Sequence, residues 1–230
     1  MTAWPSLSIV IPVLDEGANI VAALEALAAL RARSVEVIVV DGGSRDDTVA
    51  LARPLADSVI EAPRGRATQM NAGARVARGD VFLFLHADTR LPANADRLIL
   101  DGLKQSAGAW GRFDVAIDGN HPLLPVIAVC MNARSRLTGI ATGDQAMFCT
   151  RDAFVAVGGL PTIALMEDIT LARNLKRASR PLCLSARVTT SGRRWEKRGV
   201  IRTVLLMWRL RLMYVFGAKP EDLAKRYESS

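Results

Sequence analysis

The chain has 230 residues, half of them hydrophobic, and a formal net charge of +7. That supports one sizeable core, and a basic balance fits an anionic partner such as nucleic acid, an acidic membrane surface or a phosphorylated substrate. Three scattered cysteines without a CxxC pair argue against disulfides or zinc and for a reducing cytosol, and two histidines leave little material for a His-rich metal centre or a Ser-His-Asp triad.

"LSIVI" (7–11) is a β-branched run ended by Pro12, which predicts a buried strand. Residues 18–30 have helical periodicity, 35–41 read as a second strand and "GGS" as a turn. Residues 45–55 predict a helix with acids in its first turn, which suits the helix dipole. A third strand follows over 57–62. The next helix covers 67–79 and is stopped by Gly79. "VFLFL" (81–85) is the fourth strand. Strands are expected at 108–118, 146–151 and 181–191, helices at 123–137 and 167–179, and a helical tail over the last thirty residues. This alternation predicts an α/β fold with a mostly parallel sheet. No repeat or linker divides the chain. The first apolar run, cut by Pro12, Asp15 and Glu16, does not read as a signal peptide. No stretch approaches the ~20 charge-free apolar residues of a spanning helix. The expected location is the cytoplasm, with peripheral attachment to the inner membrane face left open.

Polar clusters stand just past three predicted strands: Pro12–Glu16, Asp41–Asp46 and His86–Asp88. Open α/β sheets bind ligands at the carboxyl ends of their strands. Acids gathered there can meet a phosphate only through a divalent cation, Mg²⁺ or Mn²⁺. They can also accept hydrogen bonds from a base or a ribose. The first strand is followed by "PVLDEGAN", which is neither G-x-G-x-x-G nor a P-loop, and the Gly-rich basic loop of sugar-nucleotide pyrophosphorylases is missing. Positive charge is spread without aromatic-basic alternation, so nucleic acid is not an expected partner.

"SIVIPVLDE", "EVIVVDGGSRDDT", "MNAGARVARGDVFLFLHADT" and "MEDITLARNL" together resemble the family 2 glycosyltransferases, which have the GT-A fold. The run "GRATQMNAGA…GDVFLFLHADT" is most similar to the bacterial rSAM/selenodomain-associated transferases. The resemblance spans roughly residues 7–195. It implies a GT-A domain over 1–197 with a helical extension over 198–230. It also implies inverting transfer of a sugar from a nucleoside diphosphate donor to a small-molecule or lipid-linked hydroxyl acceptor. By this resemblance Pro12 and Glu16 line the nucleotide pocket, Asp41 bonds the base, Asp88 ligates the metal and Asp168 is the general base. His86 stands where the family usually has Asp; an imidazole can ligate Mn²⁺ or bond ribose or phosphate, but suits Mg²⁺ poorly. Arg66, Arg193 and Arg194 are candidate cations for the diphosphate. Gly143, Asp144, Gln145, Glu167, Arg194 and Trp195 are candidates on the acceptor path. "GRRW" (192–195) is similar to the Arg-Trp element of processive members but lacks its preceding Gln, so the resemblance does not reach a processive polymerase. A nucleotidyltransferase, and a nucleotide-binding module without catalysis, are the alternatives; His86 keeps the second open.

The segment 198–217 is apolar yet carries four arginines. On a helix, Arg198, Arg202 and Arg209 fall within about 40° of one another and Arg211 lies nearly opposite. Several arginines at bilayer depth would each cost ~2.5–3.5 kcal/mol, which excludes spanning. Packing on the domain's own core, lying at an anionic membrane surface and contacting another protein are the expectations.

Overall fold

The computed structural model describes residues 6–106 and 108–228. Its elements in order are β1 (Leu7–Val13), α1 (Ile20–Glu25), α2 (Ala28–Arg31), β2 (Glu36–Asp41), α3 (Thr48–Ala52), β3 (Ser58–Glu61), α4 (Arg66–Val76), β4 (Val81–Phe84), β5 (Thr89–Arg90) and α5 (Ala95–Ser106). They continue with β6 (Trp110–Asp118), α6 (Leu124–Thr138), β7 (Phe148–Thr150), α7 (Arg151–Ala156), α8 (Glu167–Ala178), β8 (Leu182–Ser191), α9 (Arg193–Arg198), α10 (Val200–Val215) and α11 (Pro220–Glu228). The strands form one sheet in the order β3-β2-β1-β4-β7-β6-β8-β5. The first four are parallel, β7 enters antiparallel between β4 and β6, and β6 pairs parallel with β8.

Both faces of the parallel half are covered, which is why its strands are apolar at nearly every position. Ile9, Ile11, Val37, Val39 and Leu83 face α1, α2 and α5 through Leu24, Leu27, Leu30 and Ile99. Val10, Ile38, Val40, Phe82 and Phe84 face α4, α7 and α8 through Met70, Phe154, Leu171 and Leu175. A Cβ at Gly73 would collide with Val10 and Val40, so α4 lies directly on β1 and β2. Pro12 costs no ladder bond on the β4 side, because β4 pairs with β1 only as far as Val10.

Several elements differ from expectation. The 18–30 helix is two pieces, with a tightened Leu27 N–H to Leu24 C=O bond of 3.0 Å between them. This turns Leu24, Leu27 and Leu30 all inward. The 45–55 helix is confined to Thr48–Ala52. The helix expected to stop at Gly79 ends at Val76. Gly79 instead allows close approach: a Cβ there would sit 2.7 Å from the Ser8 nitrogen. The 146–151 strand shortens to Phe148–Thr150, because the Thr150 hydroxyl caps the unforeseen α7 by accepting from Ala153 N–H at 3.2 Å. α5 was also unforeseen. Cys130 is exposed. Residues 1–5, where the leader reading begins, and Ser229 and Ser230 of the expected helical tail lie outside the described residues.

One sheet feature positions the site. The short β5 pairs with the end of β8, Thr89 opposite Thr190. The Ser191 amide donates to the Asp88 carbonyl at 3.1 Å. The loop after β4 is thereby fastened beside residues 192–195. The last helices fold over α8, with Leu210 and Leu223 packed on Met166 and Ile169 and a 2.6 Å hydrogen bond between the Thr170 and Tyr214 hydroxyls.

Candidate active site

The loops after β1 and β2 are tied together by acids. Asp15 accepts from Arg45 N–H at 2.8 Å, and Asp46 from Gly17 N–H at 2.9 Å. The Glu16 amide donates to the Thr48 hydroxyl at 2.8 Å. Asp41 is 2% exposed and accepts from the amides of Gly43 and Ser44, both at 2.9 Å. Beneath them the buried Gln69 amide of α4 donates to Val13 C=O and Val40 C=O, each at 2.8 Å, clamping the two strand ends.

Above these ends opens a cleft with two lobes. The larger, of about 600 Å³, is lined by Pro12, Glu16, Gln69 and the N-terminus of α4 at Gly65 and Arg66. The inner lobe, of about 160 Å³, lies between residues 142–144, the start of α8, and Thr203, Met207 and Arg211 of α10. Arg66, His86, Asp88, Glu167 and Arg194 border both. The volume of the larger lobe is in the range of small-molecule sites, ~300–1,000 Å³.

Asp88 is exposed; among the described residues its carboxylate forms no ion pair and accepts only a long 3.4 Å hydrogen bond from the Thr89 hydroxyl. His86 Nδ1 stands 3.5 Å from Asp144 Oδ1. Its ring rests on Gly143, where a Cβ would lie 2.5 Å from Cε1. The Gly143 amide donates to Asp168 at 2.8 Å, and the other Asp168 oxygen accepts from Ile169 N–H at 2.7 Å. Asp168 is thus held in place while still bordering the inner lobe. Glu167 beside it is buried, and desolvation together with the Asp168 charge pushes its carboxyl above the ordinary carboxylate range. For Asp144, burial pushes upward, but the His86 contact and the charges of Arg66 and Arg194 outweigh it and hold the carboxyl low. Backbone strain gathers at this rim: Asp15, Ala146 and Met166 have φ of 52°, 44° and 72°. Each costs about 1–3 kcal/mol that the surrounding structure must offset.

Most of the residues singled out in the sequence border this cleft. Gln145 does not: it is fully buried, and its side chain is spent on the Thr142 amide at 3.3 Å and on Asn132 at 3.4 Å. Asp41 lies in the floor, satisfied by its own turn. Arg193 borders the inner lobe while donating to Ser191 and Asn19, and Arg194 lines both lobes and lies over the Tyr227 ring at 4.7 Å. Trp195 borders the inner lobe and packs near Val200. Gln69, Arg211 and Tyr227 line the cleft but were missed as site residues. For Gln69 the available signal was an amide among small helix residues facing a sheet.

Among the described residues no three His, Cys, Asp or Glu side chains gather as a metal cage. The exposed, unpaired Asp88 nonetheless fits a cation of the Mg²⁺ or Mn²⁺ kind, which needs only one or two carboxylates when substrate phosphates and water complete its shell.

Residues 8–156 match the family described as "Glycosyl transferase family 2". That is more than half of the chain, which therefore belongs to this family. A PGL/p-HBAD biosynthesis glycosyltransferase of Mycobacterium bovis is 35% identical over 96 residues, 39% of this chain and 38% of the relative. An uncharacterized glycosyltransferase of Haemophilus influenzae is 35% identical over 171 residues, 72% of this chain and 54% of the relative. The aligned chain thus spans only about half or less of these relatives' length. In three dimensions the chain is similar to a mannosyltransferase of Pyrobaculum calidifontis solved with GDP-Man and Mn²⁺, with TM-score 0.64, 22% identity and coverage of 98% of this chain and 70% of that one. The fold is of the GT-A type.

Proposed function

We propose that the chain is a metal-dependent, inverting glycosyltransferase that moves a sugar from a nucleoside diphosphate donor to a hydroxyl acceptor. The observation that carries this reading is the convergence of the His86–Asp88 loop, Arg66, Arg194 and the anchored Asp168 on one cleft. The large lobe takes the nucleoside, with Pro12 and Glu16 at its wall. Arg66 and Arg194 face the diphosphate. Asp88, with His86 beside it, would hold the divalent cation, which when bound offsets charge on the departing diphosphate. Asp168 takes the proton from the acceptor hydroxyl as that oxygen attacks the anomeric carbon from the face opposite the diphosphate, so the configuration inverts. Gly143 N–H keeps the carboxylate aimed during this transfer. The motif run 65–89 supports a place among the rSAM/selenodomain-associated transferases.

Titration with UDP and GDP, with and without Mn²⁺, tests the donor half. A nucleotide should raise the melting temperature only with metal, and Asp88→Ala should abolish the effect. Asp88→Ala with unchanged, metal-dependent binding, or an intact chain that binds no nucleoside diphosphate, would overturn the reading.

The reading extends to a lipid-linked acceptor at the inner face of a membrane. No helix among the described residues is long and apolar enough to cross one. α10 instead shows an outward stripe of Ile201, Leu205, Trp208 (72% exposed), Leu212 and Val215, continued by Phe216. Exposed Arg202 and Arg209 flank it. An unpartnered apolar stripe beside arginines suits an anionic bilayer interface. Arg198 does not belong to that rim, because it donates to Tyr227 C=O at 2.9 Å. The chain should pellet with anionic vesicles at low salt and be released at high salt. Serines at Leu205, Trp208 and Leu212 should prevent pelleting; no pelleting by the intact chain would remove the membrane from the proposal.

A further inference from the structure

A second helix is built as α10 is, with an apolar stripe turned to solvent. α6 shows Val126, Val129 and Leu137 at 55%, 62% and 86% exposure, and Leu123, Cys130 and Ala133 are exposed among them. At about 100° per residue, Val126, Val129, Cys130, Ala133 and Leu137 lie roughly 140–240° around the helix from the buried Leu124. The buried side belongs to the sheet: Asn132 exchanges hydrogen bonds of 2.8 and 3.0 Å with the Val115 backbone of β6. α6 meets α10 where Val200 shares an apolar cluster with Leu124, Ala128 and the half-buried Ile127. Counted from Val200, the α10 stripe of Ile201, Leu205, Trp208, Leu212 and Val215 lies at roughly 60–140°. On the other side of Val200, Leu210 and Tyr214 pack into the cluster over α8. Each stripe therefore begins beside the seam between the two helices and faces outward, so the two join into one surface. Neither helix holds an Asp or a Glu. Arg202 and Arg209 stand at the edge of α10 away from the seam, roughly 180–200° from Val200.

We infer that α6 is the second half of a membrane-seating surface, and that the chain rests on anionic lipid by α6 and α10 together. This rests on the membrane part of the proposed function, in which α10 alone makes the contact. Charge chooses the occupant. A second copy of the chain would bring another acid-free, arginine-edged face against this one, and like charges would meet. Anionic headgroups supply the opposite charge at the arginine edge, the acyl region takes the valines and leucines, and Trp208 sits at the boundary. The second helix also adds what one stripe cannot. A single stripe leaves the chain free to roll about the α10 axis, whereas two stripes side by side fix its tilt. Thr203 and Met207 line the inner lobe from the other side of α10, so the lobe lies roughly one helix diameter from the lipid. That placement suits an acceptor anchored in the bilayer.

The probe is a vesicle of phosphatidylcholine and phosphatidylglycerol at low salt, and the reporter sits on α6. Cys149 is buried, so Cys183→Ser leaves Cys130 as the one accessible thiol. An environment-sensitive fluorophore on Cys130 should shift to the blue on vesicle binding and lose about half its emission or more to lipids brominated on the acyl chain. Val126→Ser, Val129→Ser and Leu137→Ser, combined in one unlabelled chain, should weaken vesicle binding about tenfold or more through the apolar area withdrawn. These side chains are exposed, so melting temperature and metal-dependent nucleotide binding should not change. A bound chain whose Cys130 stays unquenched, or a serine variant that binds vesicles as tightly as the intact chain, overturns the inference and leaves α10 as the membrane contact. An intact chain that ignores vesicles overturns it together with the α10 attachment; a dimer in sedimentation velocity that the serine variant abolishes would then assign the face to a second copy. The vesicle readouts use neither donor nor turnover, so they can fail while the glycosyl-transfer reading stands, and the reverse.

Discussion

The two walls of the cleft satisfy their charges differently. Beneath the proposed donor lobe, Asp15, Asp41 and Asp46 are bonded by backbone amides of loops that follow neighbouring strands. Their geometry is fixed before any ligand arrives. In the opposite wall, Asp168 of α8 and Arg211 of α10 come from helices far apart in the chain, and among the described residues the Arg211 guanidinium has no bonded partner. The first wall is a template; the second is completed by what binds there. Preorganised dipoles cost no reorganisation during reaction, while an open charge confers selectivity because the wrong ligand leaves it unpaired.

The sharpest way to break this contrast is Asp168→Asn. The amide keeps the shape and can still accept from Gly143 N–H, losing the Ile169 contact, but cannot take a proton. Nucleotide binding at the donor wall should survive, while transfer falls by about 10²–10⁴, the usual contribution of a general base. Transfer near the normal rate, measured by single-turnover product formation, would return Asp168 to a role at the helix start.

Asp114 sharpens the same contrast through stability. Arg112 is fully buried and paired with Asp114, which also accepts from Arg136 at 2.7 Å. Asp114→Ala would leave a buried, uncompensated arginine and should cost about 3–5 kcal/mol in denaturant unfolding. Burial pushes the Asp114 carboxyl up, but the hydrogen bonds and charges of Arg136 and Arg112 outweigh it, so the net displacement is downward. The pair's stabilisation is therefore present above the unfolded-state carboxylate range and is lost as pH falls through the depressed folded value. In Asp114→Ala that acid-side loss should be absent.

How far this was legible in the sequence follows the same division. The parallel strands and the polar residues past them are local signals: an apolar run such as 81–85 stops abruptly at His86, and alternation with helices alone predicts a parallel sheet. The opposite wall depends on how α8 and α10 meet, which no local pattern encodes. Arg211 was visible as the arginine opposite Arg198, Arg202 and Arg209 on its helix, but a helical projection does not say what lies under it. α5 was missed because Gly102 weakens the helical signal; in the fold that glycine lets Leu182 of β8 close against the helix, where a Cβ would lie 2.6 Å from its side chain.

The smallest expected effect lies at the seam between the walls, in Glu167. Its carboxyl is raised by burial first and by the Asp168 charge second, with Arg66 and His86 opposing. A folded-state value above the unfolded one means that folding takes up protons in the window between them. The associated stability is fully present below the unfolded-state carboxylate range and is lost as pH rises through the elevated folded value. Glu167→Gln keeps the neutral shape at every pH. It should match the intact chain in acid and melt higher at neutral pH, by the ~0.5–2 kcal/mol common for single stabilising substitutions. Thermal unfolding of both proteins across that range reads the difference directly. A constant offset at all pH values would mean that packing, not charge, separates them. A lower-melting Glu167→Gln at neutral pH would mean that Arg66 and His86 already compensate the ionised carboxylate, and would move Glu167 from the open wall to the preorganised one.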